Sequence, residues 1–168
     1  GLGYGIALEA AREGAILSMG SRNQKSLLSA VKEIQNEVPG ARIISSPLDV
    51  ADAASIEKWV QFTLNEEKTI DCLVVNGGGP PPGTFDETDD QQWMAGFENT
   101  LMSAVRLIRG VLPEMRGKKA GSILTVTSSS IKEPIDNLIL SNVYRSGITS
   151  LVKSLSFQVA TDKIRINN

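Results

Sequence analysis

The chain has 168 residues, 41% hydrophobic and 21% charged, the balance of one globular domain with its own core. A net charge of −2 with no basic run argues against nucleic acid or an anionic membrane as the main partner. The absence of histidine removes histidine triads and the common zinc sites, so no metal centre is expected. The one cysteine, Cys72, lies in an apolar run and cannot form an internal disulfide. It reads as a small buried hydrophobe in a reducing, cytoplasmic setting. No apolar run approaches about 18 residues, so no membrane span is expected, and no signal peptide is seen.

In chain order, Gly1 to Gly14 starts a helix, with Leu2, Ile6, Ala7, Ala10 and Ala11 on one face. Ala15 to Met19 is a short strand. Lys25 to Val38 is amphipathic and stops at Pro39-Gly40. Arg42 to Ser46 is the next strand, running into Leu48-Asp49-Val50. Asp52 can cap a helix through Leu64, with Ile56, Trp59, Val60 and Leu64 inward. Ile70 to Val75 is near-continuously apolar, the pattern of a strand buried on both faces. A long helical stretch runs from Thr88-Asp89-Asp90 to about Met115, with Pro113 expected to kink or end it. Ser122 to Thr127 is a strand, Leu138 to Val159 a helix, and Ile164-Arg165-Ile166 a last strand. This alternation predicts an α/β fold: a Rossmann-type, doubly wound parallel sheet with helices on both faces, as a single domain over residues 1–168. In such sheets ligands bind beyond the carboxyl ends of the strands.

Four segments at those ends carry candidate chemistry. Gly1-Leu2-Gly3-Tyr4-Gly5 opens a helix, where backbone amides can approach a pyrophosphate; glycines at a chain end are also plain loop. Ser21-Arg22-Asn23 follows the first strand and offers no acid to a ribose hydroxyl. Arg22 either pairs with a 2′-phosphate, which favours NADP(H) over NAD(H), or is a solvated turn residue. Asp49 either accepts a bond from an adenine amino group or helps to start the next helix. Asn76-Gly77-Gly78-Gly79-Pro80-Pro81-Pro82-Gly83 combines close backbone approach with stiffness, which favours a ligand site.

Together these segments resemble the short-chain dehydrogenase/reductase superfamily. Gly1 and Gly3 match the last two glycines of its Thr-Gly-x-x-x-Gly-x-Gly element. Asp49-Val50 matches the aspartate beside the adenine, Asn76-Gly77-Gly78 the Asn-Ala-Gly element, and Thr127-Ser128 the catalytic-serine region. The proline-rich loop is similar to a 3-oxoacyl-carrier-protein-reductase-like subgroup. The resemblance implies NADP(H) held by Gly1, Leu2, Gly3, Ser21, Arg22, Asn23, Asp49, Val50, Asn76, Gly77, Gly78 and Arg145. It also implies a small carbonyl or alcohol substrate and a homodimer or homotetramer built on the two long helices. Against the same pattern the chain starts inside the glycine turn and stops before the segment that covers substrate. It therefore reads as a fragment lacking the first strand and the C-terminal strand, and is expected to be unstable or to aggregate if made alone.

The chain departs from the family at the chemistry. The family's Tyr-x-x-x-Lys pair lies thirteen residues after its serine; counted from Ser128, the tyrosine position holds Ser141 and the lysine position Arg145. Seven residues after Trp93, the family's asparagine is replaced by Thr100, with Asn99 adjacent. A serine hydroxyl is a far weaker acid than a tyrosine, and arginine stays charged and cannot relay a proton. Ser128 can still bond a substrate carbonyl. Tyr144, about 4.5 Å along the helix from Ser141, is a possible acid or, more simply, a packing residue. Lys132 and Glu133 are further acid–base candidates or a solvated loop pair. Two functions follow: an NADP(H)-dependent oxidoreductase with an atypical active site, resting on Ser128 and the nucleotide segments, or a catalytically inactive NADP(H)-binding sensor or partner subunit, resting on Ser141, Arg145 and Thr100. A Rossmann-like methyltransferase leaves the Thr127–Ser130 run and the proline loop unexplained.

Overall fold

A computed structural model describes residues 1–168. The elements run α1 (Leu2–Arg12), β1 (Leu17–Ser21), α2 (Gln24–Glu37), β2 (Ile43–Pro47), α3 (Ala53–Glu67), β3 (Cys72–Val75), α4 (Asp90–Gly96), a π-helix (Phe97–Met102), α5 (Ser103–Lys118), β4 (Gly121–Thr125), α6 (Ile139–Val159) and β5 (Ile164–Asn167), with short 3-10 turns at Ser129–Ile131 and Ala160–Asp162. All strand pairs are parallel, and the order is the predicted Rossmann-type alternation. The chain forms two compact units, Gly1–Asp49 with Ala54–Thr69, and Val50–Ala53 with Ile70–Asn168.

In the first unit, β1 and β2 pair from Leu17↔Ile43 to Ser21↔Pro47. Side chains alternate along a strand, so Leu17, Met19 and Ile43 pack with Leu8, Ala11 and Ile34 of α1 and α2. Ser18 and Gly20 face the other way. Ser18 Oγ shares a hydrogen bond of 2.6 Å with Thr63 Oγ1 of α3. A β-carbon on Gly20 would come within 2.7 Å of Leu48 and 2.9 Å of Trp59, so only glycine fits there. Asn23 caps α2 by accepting a bond from the Ser26 amide at 2.9 Å.

In the second unit, β3, β4 and β5 pair in that order, aligning Leu73 with Ile123 and Ile166. These three, with Val75 and Ile164, are buried on the face that meets α5 and α6. The opposite row, Cys72–Ser122–Arg165 and Val74–Leu124–Asn167, is largely exposed. The expectation of a β3 strand buried on both faces, with Cys72 inside it, is thereby corrected: the strand begins at Cys72, and Cys72 is exposed. An apolar run records a tolerance for burial; the elements lying over each face decide it. Likewise the first strand starts at Leu17, leaving Ile16 56% exposed.

The single helix expected over residues 88–115 is two α-helices joined by the π-helix. A capping box starts α4: Asp89 Oδ1 accepts from the Gln92 amide at 2.8 Å, and Gln92 Oε1 accepts from the Asp89 amide at 2.9 Å. Pro113 neither ends nor bounds α5, which continues to Lys118. Val111, Leu112 and Met115 are all buried around it, and that burial offsets the amide bond the proline forgoes.

Candidate active site

The first unit holds three of the four expected nucleotide segments. Gly1 stands at the start of α1 with no side-chain cap, and no acidic residue lies in the first turn, so the amides of Leu2 and Gly3 have no side-chain partner. Ser21 ends β1, and its carbonyl accepts from the Leu48 amide at 3.1 Å. Arg22 is exposed and forms no ion pair, unlike Arg12 and Arg42, which bind Glu9, Glu37 and Glu67. The Asn23 side chain is committed to its cap. The Asp49 amide donates to Ser55 Oγ at 2.9 Å, tying the end of this segment to the first turn of α3.

The second unit brings together residues that are distant in sequence. Val50 is half-buried in it. Asn76 is exposed just past β3, followed by the glycine–proline loop. The far end of that loop is fastened to the start of α6: the Gly83 amide donates to the Asn137 carbonyl at 2.5 Å, and the Ile139 amide to the Gly83 carbonyl at 3.3 Å. On α6, one turn apart, Arg145 Nε donates to Ser141 Oγ at 3.2 Å. Arg145 Nη1 donates to the carbonyls of Val126 (2.9 Å) and Thr127 (3.2 Å), just past β4. A β-carbon on Gly79 would stand 3.3 Å from Arg145 Nη2. Burial draws the Arg145 pKa below its ordinary value. Ser128 Oγ accepts from the Ser130 amide at 3.1 Å and so caps the short 3-10 turn.

The other candidates sit apart from that cluster. Tyr144 is buried, and its hydroxyl donates to the Trp93 carbonyl at 2.8 Å. Its ring meets Trp93 edge-on at 5.8 Å and Phe97 at 6.1 Å. Gly96 makes room for it, since a β-carbon there would lie 2.9 Å from Tyr144 Cε2. Burial raises the Tyr144 pKa, the opposite of what an acid catalyst needs. Thr100 lies buried in the π-helix with its hydroxyl unbonded, while Ser103 Oγ bonds the carbonyls of Asn99 and Thr100. Asn99 Nδ2 donates to the Ala95 carbonyl at 2.8 Å. Lys132 and Glu133 are exposed loop residues without an ion pair between them. Sequence reasoning missed Gly79 and the carbonyls of Val126 and Thr127 as Arg145 neighbours. It also missed the π-helix, because one inserted residue leaves the apolar periodicity of a long helix almost intact.

The family model for short chain dehydrogenases matches residues 1–168. The chain belongs to the short-chain dehydrogenase family. The chain is 29% identical over 168 residues to dehydrogenase/reductase SDR family member 4 of Sus scrofa, covering 99% of this chain and 60% of that protein. The solved L-sorbose reductase of Gluconobacter frateurii, complexed with NADPH and L-sorbose, matches with a TM-score of 0.93 at 30% identity, over 98% of this chain and 62% of that one. A short chain oxidoreductase of Pseudomonas aeruginosa PAO1, NADPH-bound and described as containing an atypical catalytic center, matches with a TM-score of 0.90 at 28% identity, over 98% and 65%. The chain thus spans less than two thirds of the length of each of these relatives. No helix is long and apolar enough to cross a membrane.

Proposed function

We propose that the protein to which this chain contributes is an NADP(H)-dependent oxidoreductase that interconverts a small carbonyl compound and its alcohol, with proton delivery unlike the family's. The observation that carries this reading is the fastening of Arg145. At the family's lysine position, a cation is held by Ser141 and by the two carbonyls beside Ser128. The residues present fit a dinucleotide. The uncapped start of α1 at Gly1, Leu2 and Gly3 suits a pyrophosphate, and the unpaired Arg22 suits a 2′-phosphate. Asp49 and Val50 would face the adenine; Asn76, Gly77, Gly78 and Arg145 would hold the nicotinamide end. The two NADPH-bound relatives support the choice of cofactor. When bound, the cofactor supplies the hydride; Ser128 bonds the substrate oxygen, and one of the two Nη2 hydrogens of Arg145 would donate to a ribose hydroxyl, leaving the other free.

The test uses the full-length protein. NADPH should bind, seen as a change in its fluorescence, and its absorbance should fall with members of a panel of ketones and aldehydes. Binding with no turnover would refute the oxidoreductase reading in favour of an NADP(H)-binding sensor or partner subunit. Tyr144→Phe should leave the rate unchanged, because that hydroxyl is spent on the Trp93 carbonyl. Self-association through α5 and α6 belongs to the same reading; exposed Val143 and Phe157 on α6 support it. Sedimentation as a monomer would exclude it.

A further inference from the structure

The Arg145 guanidinium is fixed at two of its nitrogens and uncommitted at the third, Nη2. Nε and Nη1 donate to Ser141 Oγ and to the carbonyls of Val126 and Thr127, whereas Nη2 donates to no atom of the chain. The chain's ion pairs run through Arg12, Arg42, Arg106, Arg116 and Lys118; none involves Arg145. A half-buried guanidinium keeps its charge at any working pH, and one without a carboxylate calls for a negative oxygen from outside. Gly79 helps to keep that third nitrogen clear, since a side chain there would crowd Nη2 from 3.3 Å. No acid stands ready beside it. Ser141 is too weak, the Tyr144 hydroxyl is bonded to Trp93, and Lys132 and Glu133 are exposed in their loop.

We propose that Arg145 is an oxyanion site: its Nη2 binds the negative oxygen formed when the substrate carbonyl is reduced, so that the chain stabilises charge instead of donating a proton. The electron donor in this step rests on the oxidoreductase reading above. The carbonyl carbon gains a hydride, with its electron pair, from a reduced nicotinamide. The C=O π pair moves onto oxygen, and the resulting alkoxide pairs with the guanidinium. Water then protonates the alkoxide, and the hydroxide left behind is neutralised by buffer. A preorganised charge in a partly dry site serves an oxyanion without any proton transfer from the protein.

The test has a binding arm and a kinetic arm, both on the full-length protein. In the first, 4-nitrophenol is titrated against pH in the presence of NADP+. Bound probe should ionise about one pH unit below free probe, and the shift should vanish in Arg145→Gln but persist in part in Arg145→Lys. An unchanged far-UV circular dichroism spectrum and urea midpoint show that each variant is folded. In the second arm, kcat for NADPH oxidation by 2,3-butanedione should stay flat from about pH 7 to about pH 10, where an acid of intermediate pKa would make it fall. Arg145→Gln should lower kcat about 100-fold with KM changed less than about threefold. A probe that does not bind, a titration unshifted in the wild type or still fully shifted in Arg145→Gln, or a kcat that falls about tenfold per pH unit overturns the proposal. An Arg145-dependent shift without turnover of any carbonyl leaves the oxyanion site standing and removes the oxidoreductase reading. Turnover without the shift does the reverse.

Discussion

In the first unit, β1 and β2 send Leu17, Met19 and Ile43 toward α1 and α2, and Ser18 and Gly20 toward α3. In the second, β3, β4 and β5 bury Leu73, Ile123 and Ile166 under α5 and α6 and leave Cys72, Leu124 and Arg165 exposed on the other face. The contrast runs against composition. The strand with the most continuous apolar run, Cys72–Val75, has an open side, while the strand carrying serine and glycine meets helices on both faces, although none of its residues is fully buried. Inward-facing small residues let a helix lie close, and the apolar content of a strand does not say how many helices it has. The two units also use their arginines differently. Arg12 and Arg42 are spent on carboxylates, whereas Arg145 is spent on carbonyls and a hydroxyl, leaving its charge available.

The contrast can be broken or sharpened by substitution in the full-length protein. The largest effect is expected at Ile123, which is 0% exposed: Ile123→Ala should cost about 2–5 kcal/mol in urea unfolding, from lost burial plus a cavity. Trp93 fluorescence should report this loss, since it lies in the same unit; an unchanged midpoint would deny that the covered face is the core. Next, Arg22→Ala should weaken NADPH by about 1.5–3 kcal/mol, the range of a charge-assisted bond, and NADH by far less; equal loss for both would remove Arg22 from the 2′-phosphate. Asp89→Ala should cost about 1 kcal/mol through the lost capping box, and an unchanged melt would show that the start of α4 does not depend on it. The smallest effect belongs to the open face: Leu124→Ser, at a 40% exposed position one residue from Ile123, should stay within about 0.5 kcal/mol. On that same face Cys72 should react with a thiol reagent in the native protein. Partial burial of its sulfur raises the thiol pKa, and the Arg165 charge offsets this in part. The labelling rate should therefore still be climbing with pH above the usual thiol range, because only the thiolate reacts. Resistance to labelling until unfolding would mean that this face is covered in the full protein.

The order of elements, the parallel pairing and the family were legible in the sequence, because they rest on periodicity and on motifs counted along the chain. The proposed placing of Ser141 and Arg145 at the family's tyrosine and lysine positions rests on sequence alone: a helix turn and a fixed spacing from Ser128 define those positions without any tertiary contact. What the tertiary structure decided was the state of each side chain. Tyr144 had two open readings until its hydroxyl met the carbonyl of Trp93, 51 residues earlier. Pro113 could stay inside α5 because the residues around it are buried. Cys72 was misread because exposure depends on which helices lie over a strand. Arg145 looked like a lysine substitute on one helix; only the fold placed the carbonyls past β4 on its Nη1 and Gly79 beside its Nη2. Local pattern determines which groups a segment carries, but a hydrogen bond is made with whichever partner the fold brings within about 3 Å, and that partner is rarely a neighbour in sequence.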